Sequence, residues 1–173
     1  IWRHVGRNAP KYIAATNEDR FRRGLYVVWR RGAPYVSFMN FDAPDRGACV
    51  VRRPRTNTPL QALTLLNDEA YVEMAMAFAG RILTEAKGTP ETRISYAYKT
   101  ALGRAPRAAE TIYLKRLILK RRTHFEKNPK EAALVISGTK GWKMPKEMDK
   151  GDLAAWFYIA NILLNLDETI TKD

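Results

Sequence analysis

The 173-residue sequence predicts a mainly α-helical domain: a bundle-like arrangement of about five to six helices behind an extended N-terminal arm. Three observations carry this expectation. Apolar residues recur at helical spacing through most of residues 58–166. Helix-start signals of the cap-then-proline kind stand at Thr58-Pro59 and Thr89-Pro90. Glycine and proline, by contrast, crowd the first 57 residues, at Gly6, Pro10, Gly24, Gly32, Pro34, Pro44, Gly47 and Pro54.

The elements follow in order. Leu25-Tyr26-Val27-Val28-Trp29 is rich in β-formers and reads as a short strand, with Val36-Ser37-Phe38-Met39 a weaker second one. The arm is therefore expected to lie extended across the helices, with one short hairpin as an option. Thr58-Pro59-Leu60-Gln61 is a capping box. Its Thr hydroxyl is placed to accept from the Gln61 N–H, and the Gln61 side chain to accept from the Thr58 N–H. The helix that follows runs to about Ala86, with Lys87-Gly88 as its stop. Leu60, Leu63, Leu66, Ala70, Met74, Phe78 and Leu83 mark one stripe, and Leu65, Val72, Met76 and Ile82 a second. So wide an apolar surface implies burial on more than one side. Asn67-Asp68 interrupts it and is able to end one helix and cap the next.

Thr89-Pro90-Glu91 opens a helix that Gly103 ends, with Ile94, Ala97, Tyr98 and Ala101 inward. Arg107 to Lys127 is a long helix carrying Ile112, Leu114, Leu117, Ile118 and Phe125, with Lys115, Arg116, Lys120, Arg121 and Arg122 crowding its other side. Pro129 to Ile136 is a short helix, and residues 138–151 form a polar loop holding Trp142 and Pro145. Asp152 is the expected cap of a last helix, through about Leu166, with Trp156, Ile159, Ala160, Leu163 and Leu166 inward. Residues 1–57 are thus read as a basic arm and 58–173 as the helical domain. Together they make one structural domain, the C-terminal part of a larger protein.

Charge is unevenly spread. Residues 1–58, 59–86, 87–131 and 132–173 carry +8, −3, +8 and −1. Basic segments flanking an acidic one attract a polyanion, an acidic lipid surface or an acidic protein, or pack on the acidic segment. The longest apolar run, Ala154 to Leu164, is broken at Asn161 and is too short to span a bilayer. Cys49 is the sole cysteine, which excludes an internal disulfide and a thiol-based metal cluster.

A family resemblance begins at Arg22-Arg23-Gly24-Leu25-Tyr26 and Trp29-Arg30-Arg31, and strengthens at Phe41-Asp42-Ala43-Pro44-Asp45-Arg46. It is most distinctive from Cys49 to Leu63, through Arg52-Arg53-Pro54-Arg55-Thr56-Asn57-Thr58-Pro59-Leu60-Gln61, and continues to Asn67-Asp68. Leu163-Leu164-Asn165-Leu166-Asp167-Glu168 also fits. Over roughly residues 18–173 the chain resembles the C-terminal domain of uncharacterised function found in large planctomycete and verrucomicrobial proteins that often carry c-type cytochrome modules upstream. Glu69 stands where that family usually has proline. The resemblance implies a secreted or periplasmic parent, haem c in its upstream modules and electron transfer there. It brings no catalytic residues.

The candidate chemistry is sparse. No Cys-x-x-Cys-His motif occurs, so this segment attaches no haem and holds no cofactor of its own. His4 and His124 are the only histidines. Either is a weak candidate for an axial haem ligand of a neighbouring module, against the plainer reading of His124 as solvated surface. Cys49 reads as a small buried thiol beside Val50 and Val51. A catalytic role would need an activating base. Asp42 and Asp45 resemble a carboxylate pair, but Asp-Ala-Pro-Asp-Arg reads better as a turn whose carboxylates cap N–H groups and pair with arginine. Tyr26, Trp29, Tyr35, Phe38 and Phe41 interleave with arginines as a nucleic-acid platform would, yet no binding motif accompanies them, and nucleic acid is the third choice of partner.

Arg52, Arg53 and Arg55 precede a helix N-terminus, where positive charge is badly placed. They are expected to find carboxylates among Asp42, Asp45, Asp68, Asp167 and Glu168, with Asn57 adding a turn bond, so that residues 42–58 form a polar latch. An exposed anion site is the alternative. The functional expectation is a non-catalytic structural or interaction module, docking on other modules or subunits of a periplasmic or extracellular assembly. The alternatives are a part of an oxidoreductase or polysaccharide-active complex whose site is shared between modules, and a basic nucleic-acid-binding domain.

Overall fold

Among residues 15, 17–29, 34–139 and 141–171, which the computed structural model describes, every regular element is helical. In chain order the α-helices are α1 (Val36–Asn40), α2 (Pro59–Asn67), α3 (Glu69–Glu85), α4 (Pro90–Leu102), α5 (Ala108–Lys127), α6 (Pro129–Ser137), α7 (Lys150–Leu164) and α8 (Asp167–Ile170). None is long and apolar enough to cross a membrane. The chain divides into two units, Ile1–Gln61 and Ala62–Asp173.

The second unit is built around α7. Leu153, Ala154, Ala155, Trp156, Ile159, Ala160 and Leu163 are all buried, so this helix is apolar almost all round and must be surrounded. It is packed by α3, α4, α5, α6 and α8. Met76, Ala79 and Ile82 from α3, Ile94, Ala97 and Tyr98 from α4, and Leu114 and Ile118 from α5 close the main core around Trp156. Phe125 and Ala132 meet Ala154 and Ala155 in a smaller cluster.

The helix boundaries have local causes. Thr89 accepts from the Thr92 N–H and Pro90 fills the first turn of α4, which Gly103 closes in the left-handed region at φ 74°. Asp68 accepts from the Ala70 N–H, splitting the stretch after Thr58 into α2 and α3. Leu60, Leu63 and Leu66 on α2 are exposed, not inward as their spacing suggests. Asp152 is not the cap of α7. Asp149 is, accepting from the Asp152 N–H at 2.7 Å, and α7 ends at Leu164 with α8 following as a separate turn.

Gly80 lies inside α3, where glycine ordinarily costs about 0.5–1 kcal/mol relative to alanine. Its reason is Trp142: a Cβ there would sit 2.5 Å from the indole Cζ2. Gly80→Ala is therefore expected to push the ring off α3 despite the better helix propensity. The Trp142 indole N–H resonance should move and amide exchange over residues 141–149 should quicken. An unshifted indole resonance would contradict the contact.

In the first unit neither expected strand forms. Leu25-Tyr26 lies in a single 3₁₀ turn, Gly24–Tyr26, and Val36–Asn40 is α1. Strand-forming residues need cross-strand partners to be realised. Here the aromatic residues stack on one another instead. Trp29 lies parallel to Phe38 at 4.8 Å, Tyr35 meets Phe38 edge-on, and the Arg46 guanidinium sits 5.0 Å from the Trp29 ring centre.

Candidate functional site

The sequence-distinctive stretch forms a polar knot at the end of α1. A helix leaves its last carbonyls without intrahelical partners. Here the Ser37 and Phe38 carbonyls accept from the N–H groups of Phe41 and Ala43, and the Asn40 carbonyl and the two that follow the helix are taken by side chains from farther along. Gln61 Nε2 donates to the Asn40 carbonyl at 2.7 Å. Arg53 donates through Nη2 to the Phe41 carbonyl at 3.0 Å and through Nε to the Asp42 carbonyl at 3.1 Å. A guanidinium is electrostatically well placed at a helix C-terminus.

Asp42 turns the chain at this point with φ 57°, a left-handed conformation that aspartate tolerates better than most residues. Its carboxylate accepts from the Thr56 N–H at 2.7 Å and from the Thr56 hydroxyl at 2.8 Å. Gln61 Nε2 also donates to Thr56 Oγ1 at 3.1 Å. The reciprocal bonds of the capping box are present, Thr58 N–H to Gln61 Oε1 at 2.9 Å and Gln61 N–H to the Thr58 hydroxyl at 3.3 Å. Gln61 is 1% exposed and links three segments of its unit.

The residues singled out from the sequence therefore divide. Asp42, Arg53, Thr58 and Gln61 come together through Thr56. The described acceptors of Arg53 are main-chain carbonyls in place of the expected carboxylates, because the end of α1 lies within its reach. Asp45 makes a local turn, accepting from the Gly47 N–H at 2.8 Å. Arg52, Arg55 and Asn57 are exposed. Asp68 caps α3, Asp167 accepts from the Thr171 hydroxyl, and Glu168 belongs to a cluster on the second unit. His124 pairs with Glu131 at 2.8 Å, and His4 lies outside the described residues. Cys49 is exposed, as are Val50 and Val51, so the expected buried thiol is not found; the segment lies on the surface of its unit. Among the described residues, no three of His, Cys, Asp and Glu are grouped so as to hold a metal ion.

The second unit's charged groups tie helices together. Arg104, in the α4–α5 loop, donates to both carboxylate oxygens of Glu110 at 2.8 and 2.9 Å and to both of Glu168 at 2.7 Å. Its guanidinium also lies 5.1 Å from the Tyr98 ring centre. Glu110 additionally accepts from the Arg107 N–H at 2.6 Å, closing the first turn of α5. Arg122 on α5 grips Asp152 at the start of α7, and Lys115 on α5 pairs with Glu91 on α4. These pairs were not foreseen from sequence; only Glu110, three residues after Arg107 at a helix start, gave a signal.

The Arg104 hydrogen bond holds the Glu110 carboxyl down to about 2, and the Lys115 hydrogen bond does the same for Glu91. A carboxylate depressed in the folded state contributes stability that is full above its unfolded pKa and is lost as pH falls through the folded value. Acid denaturation is thus expected to draw on these groups between about pH 4.3 and about pH 2. Arg104→Met should lower stability at neutral pH and flatten that acid limb. Urea midpoints measured across the range check it: parallel curves for the two proteins would contradict the role of Arg104.

The family model described as PSD1, protein of unknown function (DUF1553), matches residues 3–118. No curated protein and no solved structure matches the chain.

Proposed function

The chain belongs to the PSD1 (DUF1553) family, and from that premise we propose that it is a non-catalytic structural and interaction module at the C-terminus of a large extracytoplasmic, c-type cytochrome-linked protein. The observation that carries the non-catalytic part is the use made of its charged side chains. Asp42 is spent on Thr56, Arg53 on the carbonyls just after α1, and Arg104, Glu110, Glu168, Arg122, Asp152, Lys115 and Glu91 on joining helices. Each is engaged in holding the fold, where a catalytic site would aim such groups at a shared cleft.

The link to a cytochrome rests on the Cys49–Leu63 stretch and its resemblance to domains that follow c-type haem modules. In this reading the haem sits upstream, the whole protein is periplasmic or extracellular, and this module docks against its neighbours or another subunit. Haem staining of the intact parent beside the 173-residue chain, both on a denaturing gel, tests it. The parent should stain and the chain should not. An unstained parent would remove the cytochrome link, and a stained chain would overturn the assignment of haem to upstream modules.

A further inference from the structure

We infer that the outward face of α5 is a docking surface for an acidic, partly apolar protein surface. This deepens the interaction-module reading and rests on it. Leu114, Ile118 and Phe125 face the core, so the opposite side of the helix presents Ile112, Arg116, Leu119 and Thr123, with Tyr113, Lys120 and Lys127 beside them. Ile112 is 61% exposed, Tyr113 64% and Leu119 49%. A surface helix ordinarily turns polar residues to this side. Three large apolar side chains on one solvent face depart from that pattern.

The cations on the same helix sort in the same sense. Lys115 is held by Glu91 and Arg122 by Asp152. Arg121 lies over the Tyr158 ring, 4.2 Å from its centre. Arg116, Lys120 and Lys127, all exposed, have no carboxylate partner among the described residues. The cations that serve the fold are thus on the flanks and inner side, and the unpaired ones share the face with the exposed apolar residues.

That mixture selects the partner. A membrane surface takes a helix whose apolar face is continuous and whose cations stand at its margins. Here Arg116 sits between Ile112 and Leu119 along the middle of the face. Nucleic acid would use the cations but has little use for Ile112 and Leu119, which cannot stack as aromatic rings do. An acidic protein surface uses both: carboxylates to pair with Arg116 and Lys120, and apolar side chains to cover Ile112, Tyr113 and Leu119.

The test uses a labelled synthetic helical peptide with leucines along one face and glutamates beside them, titrated with the full chain and followed by fluorescence anisotropy. Saturable binding is expected. It should weaken about tenfold or more in Arg116→Glu/Lys120→Glu and also in Ile112→Ser/Leu119→Ser. Both doublets change only exposed positions and should leave the melting temperature nearly unchanged. Lys99→Glu, a charge reversal on α4, should bind as the parent sequence does. Absence of saturable binding, or binding that neither doublet weakens, would overturn the proposal. So would equal binding of polyglutamate, which would mean charge alone, or preferential binding to phosphatidylserine-containing vesicles with the same dependence on the two doublets. None of these outcomes bears on whether the parent stains for haem, so the two readings fail separately.

Discussion

Replacing Trp156 with alanine is expected to lower stability by about 3–5 kcal/mol. Trp156 is 1% exposed at the middle of α7, and Met76, Ile82, Ile94 and Ile118 from three other helices share its core. Those residues are anchored on separate helices that themselves pack on α7, so the hole left behind cannot close without moving a helix. A cost of this size is a large part of the roughly 5–15 kcal/mol that holds a domain together. Trp156→Phe should be much milder, about 1–2 kcal/mol, since the ring is largely kept. Nor does it forfeit a hydrogen bond, for the indole N–H has no partner among the described residues. Urea unfolding of both variants measures the difference. A loss below about 1 kcal/mol for the alanine variant would place Trp156 outside a packed core.

The second large effect belongs to Gln61, buried with its amide shared among the Thr58 N–H, the Asn40 carbonyl and the Thr56 hydroxyl. Gln61→Leu fills the space but leaves the Thr58 N–H and the Asn40 carbonyl without these partners, at about 1–3 kcal/mol. Gln61→Glu should be worse in spite of its matching shape. It retains the acceptor for Thr58, but turns a donor facing the Asn40 carbonyl into a second acceptor and buries a charge. Amide exchange at Thr58, whose N–H donates to Gln61 Oε1, reports the change directly. That amide should exchange faster in the Leu variant, which lacks its acceptor, and stay protected in the Glu variant, whose cost falls on the Asn40 carbonyl instead. If Glu is tolerated better than Leu, the side-chain amide is not oriented as described.

What could be read from the sequence depended on how local its cause was. Thr58, Gln61, Thr89, Pro90 and Gly103 act within one helical turn, and the boundaries they imply stand in the structure. The apolar period of α7 likewise pointed inward from sequence alone. Leu25–Trp29 and Val36–Met39 misled because β-propensity is a statement about neighbours that the chain does not supply there. Asp152 looked like a cap because it precedes an apolar run; it was needed for Arg122, thirty residues away, while Asp149 did the capping. The arginines before α2 were recognisably misplaced for that helix. Their actual use could not be read, since the end of α1 is an acceptor only once α1 exists where a strand was expected. Gly80 and Trp142 are sixty-two residues apart, and nothing local joins them.

As proposed above, this chain docks on other parts of a cytochrome-linked assembly. The most direct measurement is a calorimetric titration of the 173-residue chain into the haem-bearing remainder of its parent polypeptide. Saturable one-to-one binding is predicted, weakened by Arg116→Glu/Lys120→Glu. The absence of any binding heat at several temperatures, with both partners folded, would contradict it.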